Sequence, residues 1–160
     1  MTPTEANDTH VSMDMHALTP TFAVSPQLTL ADLAEAKAAG VTLVVNNRPD
    51  GEDLAAPSAA DMETEARRLG LAYIHLPVAP GQFDAGQLPA LNDALAAHPG
   101  KALAFCRSGT RSTHLWALAR AQAGDDPGEL IAAAARGGYD LAPLAATLNI
   151  IATQRTPSGR

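Results

Sequence analysis

Ala102-Leu103-Ala104-Phe105-Cys106-Arg107-Ser108-Gly109-Thr110-Arg111-Ser112 joins a short apolar run to a Gly/Ser-containing turn, and a helix-like stretch continues from Ser112 to Ala119. A buried strand that ends in such a loop and opens a helix aims several backbone N–H groups at one point, together with the positive end of the helix dipole. That combination makes an oxyanion cradle. Cys106 is the only cysteine of the chain and stands at the lip of this cradle. The local field and Arg111 would both favour its thiolate. A lone cysteine in a small α/β domain is also commonly an inert buried group, but Arg107 and Arg111 are poor neighbours for an apolar core. The pattern therefore predicts a cysteine nucleophile that handles an anionic group.

Outward from this loop, strand and helix patterns alternate. Thr21–Val24 reads as a short edge strand and Thr29 caps a helix to Ala39, stopped by Gly40. Val41–Val45 is a β-branched buried strand, broken by the turn residues Asn46 to Gly51. Ser58 caps a helix to Leu69, with Asp61 completing a weak capping box. Leu71–Leu76 is a strand and Pro77–Phe83 a loop, after which Asp84 caps a helix to about Ala97. Asp126 and Pro127 open a helix to Arg136, Gly137-Gly138 breaks it, and a last helix runs from about Leu141 to Ile151. This order predicts an α/β domain of three layers, α/β/α, around a small, mostly parallel sheet. Residues 1–19 are expected to be a disordered tail, 20–152 the domain, and 153–160 a second tail.

Bulk properties narrow the function. A chain of 160 residues is one domain's length, and a net charge of −6 argues against a nucleic-acid binder. No Cys/His spacing suggests a metal site, no cofactor is expected, and no apolar run approaches a membrane span. The first residues lack the pattern of a secretory leader, so a cytoplasmic setting with a free thiol is expected.

In open α/β sheets ligands bind beyond the carboxyl ends of the strands, so the Cys106, Asn46–Asp53 and Pro77–Asp84 loops are expected to meet there. Cys106 is the expected nucleophile, and Arg111 the bidentate grip on a tetrahedral anion. The backbone of Arg107, Ser108, Gly109 and Thr110 would line the cradle, with the Arg107 side chain outward. Ser112 would hydrogen-bond the thiolate or cap the helix. Arg48, Asp50, Glu52 and Asp53 make a charged loop that would supply an acid, orient the cysteine loop through an ion pair, or be a solvated turn. Arg48 stands out within it, because it directly follows a buried strand. His75 reads as a satisfied buried histidine, His114 as a helix-surface position, and Leu115, Trp116 and Leu118 as core. His10, His16 and His98 carry no signal.

Two families share the loop pattern. Rhodanese-type sulfurtransferases resemble it in the spacing, since four residues separate Cys106 from Arg111. Tyrosine and dual-specificity phosphatases have five. Three wider stretches narrow the match: Val44-Val45-Asn46-Asn47-Arg48-Pro49-Asp50-Gly51-Glu52, Gly70-Leu71-Ala72-Tyr73-Ile74-His75-Leu76-Pro77-Val78, and Phe105 to Ser112. From about Phe22 to Leu144 the chain resembles a bacterial phosphatase-like family that also occurs joined to a β-lactamase-fold hydrolase. That resemblance implies a dual-specificity-phosphatase-like fold and phosphoester hydrolysis by Cys106, with Arg111 and the cradle stabilising the transition state.

Dual-specificity phosphatases carry an acid on the loop after the strand equivalent to Tyr73–Leu76. Here that loop begins Pro77-Val78-Ala79-Pro80, Asp84 comes several residues later, and Asp50 or Asp53 would be substitutes. The alternative is sulfur transfer through a Cys106 persulfide, which requires no proton donor. A third reading is a non-catalytic phosphate-binding module that keeps Arg111 and does without Cys106. An arsenate-reductase-like route ranks below these, because it usually needs resolving cysteines. The partners these readings imply are a small anionic or phosphorylated substrate, or a persulfide donor and a thiol acceptor.

Overall fold

The structure, a computed structural model, describes residues 13–154. Its five strands are β1 (His16–Thr19), β2 (Phe22–Ser25), β3 (Val41–Asn46), β4 (Ala72–His75) and β5 (Lys101–Phe105). They lie in the order β1-β2-β5-β3-β4, and only the β1–β2 pair is antiparallel. Six α-helices surround them: α1 (Leu30–Ala38), α2 (Ala59–Arg68), α3 (Gln87–Ala97), α4 (Thr110–Ala123), α5 (Pro127–Arg136) and α6 (Ala145–Gln154).

Alternation along the central strands builds two cores, because successive side chains of a strand point to opposite faces. Val24, Leu43, Val45, Ala102 and Ala104 face α3 to α6, where Trp116 stacks on Phe22 at 5.6 Å. Ala23, Val44, Leu103 and Phe105 face Leu33 and Ala36 of α1 and Met62 and Ala66 of α2. The expected three layers are present, and Leu115, Trp116 and Leu118 are core.

Local capping follows the sequence closely. Thr29 and Asp32 exchange reciprocal bonds at the start of α1, a full capping box. Ser58 accepts from Asp61 N–H without the return bond that the expected capping box needs, and Asp126 accepts from Glu129 N–H.

Three expectations are corrected. Phe22–Ser25 is an inner strand: β1 covers its outer side, so residues 16–19 belong to the domain and not to a tail. Leu18 of β1 is 1% exposed, and its apolar body explains why this segment docks. At the other end α6 continues to Gln154 and begins at Ala145, after a 3-10 turn over Ala142–Leu144. Residues 1–12 and 155–160 of the expected tails lie outside the described residues. Asp84 caps α3 from outside, accepting from Gln87 N–H at 3.2 Å, while Gly86 occupies the cap position.

Candidate active site

Parallel pairing of β5, β3 and β4 brings their following loops to one edge, and short-range bonds lock them together. Asn47 does most of this. Its N–H donates to Phe105 C=O, its C=O accepts from Val78 N–H, and its Nδ2 donates to Leu76 C=O. Its Oδ1 accepts from Ser112 Oγ at 2.8 Å. Ser112 is therefore a buried tie between α4 and the β3 loop. It bonds Asn47 and leaves the cap position to Gly109. Every buried side-chain N or O atom among the described residues has a hydrogen-bond partner, as buried polar groups need to.

Cys106 lies on the floor of its loop rather than at the lip, fully buried and unpaired in any disulfide. Its Sγ accepts from Gly109 N–H at 3.1 Å. Gly109 has φ +92° and opens α4, so the chain turns sharply enough for the amide to point back at the sulfur. A Cβ there would stand 2.1 Å from Tyr139 Oη, so glycine is required both for conformation and for space. Arg107, Ser108 and Thr110 are exposed on the rim. Ser108 Oγ donates to Thr110 Oγ1, and the Arg107 carbonyl accepts from Gln27 N–H.

Arg111 crosses from α4 to the other two loops. Its Nη1 and Nη2 donate end-on to Glu52 Oε2 and Oε1 at 2.7 and 2.9 Å, and Nη1 also donates to Val78 C=O at 2.6 Å. Three of the five guanidinium N–H groups are thereby used. The pair left over is the side edge, Nε–H with the second Nη2–H. Cys106 lies near enough to this guanidinium for a charge on the sulfur to act on it. Glu52, more than Cys106, holds the Arg111 pKa above its ordinary value.

Arg48 completes the frame. Its Nε donates to Glu52 Oε1 at 2.9 Å, its Nη1 donates to Gln27 Oε1, and its side chain is 8% exposed. Held first by Arg111 and then by Arg48, against the opposing effect of burial, Glu52 has its pKa lowered to about 2. His75 Nε2 lies 2.9 Å from the Arg48 carbonyl, a satisfied position as expected. His114 is half-buried, 6.1 Å from the Phe83 ring, and burial lowers its pKa.

The structure separates the remaining carboxylates. Asp50 Oδ1 accepts from Ala59 N–H at 2.8 Å and so serves the start of α2. Asp84 lines a cavity of about 330 Å³ together with Pro49, Pro77, Ala79 and Phe83. Glu52, Asn47 and Tyr139 are the site residues that residue types alone did not single out. The ion-pair option for the charged loop contained the answer for Glu52, whose signal is its position four residues after Arg48. Among the described residues no cluster of three or more His, Cys, Asp or Glu could hold a metal, and no helix is long and apolar enough to cross a membrane.

The strand order and the turn that carries Cys106 and Arg111 make this a three-layer α/β protein, and the solved structures it superposes on have the tyrosine-phosphatase-like fold. The chain belongs to the family described as beta-lactamase hydrolase-like protein, phosphatase-like domain, which it matches over residues 14–123. A beta-lactamase hydrolase-like protein of Xylella fastidiosa (strain Temecula1) is 38% identical over 79 residues, 49% of this chain. That match spans only 18% of the relative's length. A "putative phosphatase" of Neisseria meningitidis Z2491 superposes with TM-score 0.76 at 28% identity, covering 88% of this chain and 99% of that one. Tk-PTP in its active form shares the fold, with TM-score 0.67 at 17% identity over 89% of this chain and 98% of its own.

Proposed function

We propose that this protein is a cysteine-dependent phosphatase acting on a small phosphorylated substrate. The observation that carries this reading is Cys106 Sγ accepting from Gly109 N–H at the start of the helix that also bears Arg111. Glu52 takes the end of the guanidinium, so the edge that remains is the one that can grip two oxygens of a tetrahedral anion.

In this mechanism the Cys106 thiolate attacks phosphorus, and the bond from phosphorus to the leaving oxygen breaks. Arg111 and the loop amides stabilise the charge that builds on the non-bridging oxygens. Of the three candidate acids, Asp50 bonds Ala59 N–H, Asp53 bonds Ala55 N–H, and Asp84, which bonds Gln87 N–H, also stands at a cavity on the loop that Arg111 touches through Val78. Asp84 is therefore assigned the proton that the leaving oxygen takes up. Water then hydrolyses the phosphocysteine.

A second reading rests on the chemistry of the sulfur's partner: Cys106 Sγ accepts from a backbone amide, that of Gly109. That environment suits a persulfide anion. In sulfur transfer the thiolate attacks the sulfane sulfur of a donor persulfide and releases a thiol, and an acceptor thiolate then removes the outer sulfur.

The test pairs wild type with Cys106→Ser. Hydrolysis of p-nitrophenyl phosphate and phosphotyrosine by the wild type alone supports the phosphatase. A mass gain of one sulfur on the wild type alone after brief exposure to glutathione persulfide, discharged by cyanide, with no hydrolysis, supports sulfur transfer. Undiminished phosphate binding by Cys106→Ser, with neither reaction in the wild type, would leave a binding module.

A further inference from the structure

We propose that Tyr139 is a positioning residue for the Cys106 nucleophile, acting through the Ser108–Gly109 peptide. Tyr139 Oη donates to the Ser108 carbonyl at 3.0 Å, and the N–H of the same peptide unit donates to Cys106 Sγ at 3.1 Å. The chain contains no cis peptide among the described residues, and in a planar trans unit the C=O and N–H point in opposite directions. Fixing the carbonyl on one side therefore aims the amide on the other. The phenol acts as a handle on a donor that faces the sulfur.

The fold delivers this handle by a specific device. Gly138, at φ +96°, ends α5: its N–H bonds to Ala135 C=O, and Tyr139 N–H bonds to Ala134 C=O. This is the Schellman pattern, in which a left-handed residue reverses the chain just past a helix. Tyr139 is thrown back over the cysteine loop, with its hydroxyl against the Gly109 Cα. Its ring also meets His16 of β1 edge-on at 5.5 Å. Burial raises the Tyr139 pKa, and the nearby charges of Cys106 and Asp14 push it further the same way. The phenol thus keeps its proton and stays a donor.

The ionisable groups facing this pair come from several elements: Arg111 of α4 beside Cys106, Glu52 of the β3 loop behind Arg111, and His16 with Asp14 beside the Tyr139 ring. None of them contacts the Ser108 carbonyl. Among the described residues only Tyr139 does so through a side chain.

The inference rests on Cys106 being the nucleophile in the proposed function, but its test needs no substrate. Alkylation of Cys106 by iodoacetamide is followed from pH 6 to 10 in the wild type and in Tyr139→Phe, which keeps the ring and removes only the hydroxyl. The rate at pH 7 falls about 3- to 10-fold, the scale of one hydrogen bond. The deficit shrinks toward pH 10. Equal or faster alkylation at pH 7 by folded Tyr139→Phe overturns the proposal.

Replacing Tyr139 with 3-fluorotyrosine keeps the side-chain shape and strengthens the donor. Alkylation at pH 7 then rises, and an unchanged rate also overturns the proposal. A wild type inactive on every phosphoester but showing these shifts would sink the phosphatase and leave the role of Tyr139 standing.

Discussion

Glu52 accepts both Nη groups of Arg111 on its two oxygens, and on Oε1 it also accepts the Nε–H of Arg48. One carboxylate on the β3 loop thus sets the direction in which the α4 arginine presents its remaining edge. Glu52→Gln replaces an acceptor oxygen with an NH2 that faces guanidinium N–H groups. The expected result is a folded protein whose affinity for inorganic phosphate falls about 10- to 100-fold, the scale of a charged hydrogen bond. Titration calorimetry reads this directly, and unchanged affinity would remove Glu52 from the site.

The same pair makes stability depend on pH. The Glu52 pKa is lowered from 4.5 to about 2 in the folded state, chiefly by the Arg111 hydrogen bond. A depressed folded pKa means that the unfolded chain takes up the proton first on acidification. The stabilisation is complete above pH 4.5 and is lost as pH falls toward 2. Urea unfolding of wild type and Glu52→Gln between pH 2 and 6 should show a gap in midpoint at pH 6 that closes toward pH 2. A gap independent of pH would contradict the assignment.

The parallel strands, the helix caps and the Cys106–Arg111 turn were legible because each rests on neighbours in sequence: β-branched runs, Thr29 with Asp32, Asp126 with Pro127, and the cysteine loop itself. What lay beyond reach depends on pairs far apart in the chain. Asn47 meets Ser112, Glu52 meets Arg111 and Tyr139 meets Ser108 across 65, 59 and 31 positions. Residue type alone left Glu52 indistinguishable from a solvated turn residue. The strand β1 was missed for a related reason: four residues in a polar neighbourhood give no periodicity, and only docking of Leu18 on α5 and pairing with β2 make them a strand.

Gly109→Ala tests the loop conformation itself. An alanine would have to hold φ near +92° with its Cβ 2.1 Å from Tyr139 Oη. Backbone strain of this kind costs about 1–3 kcal/mol, and the overlap adds to it. The variant should melt several degrees lower. Its Cys106 should also lose the amide contact, seen as slower alkylation at pH 7. A variant as stable and as reactive as wild type would show that the turn is less constrained than its geometry indicates.

Asp50 and Asp84 should separate cleanly. Asp50→Ala removes the acceptor for Ala59 N–H at the start of α2, which costs about 1 kcal/mol of stability. Its turnover of phosphoesters should stay near wild type. Asp84→Asn should lower kcat about 10²–10⁴-fold for esters with poor leaving groups, the range of general acid catalysis. Activated esters should be affected far less. If both variants behave alike on both ester classes, neither residue is the acid.

Leu18→Ala tests whether the first strand holds the domain together. Leu18 is 1% exposed, and its Cδ2 would lie 2.5 Å from a Cβ at Gly137, so it fills the space over the end of α5. Arg136 Nη2 donates to the Leu18 carbonyl from the same helix. Truncating a buried leucine costs about 2–5 kcal/mol. The same cut loosens the Gly137-Gly138 turn that delivers Tyr139. Urea unfolding should therefore show a lowered midpoint, and Cys106 alkylation at pH 7 should slow even where the protein is still folded. Wild-type stability in this variant would return residues 16–19 to the status of a tail.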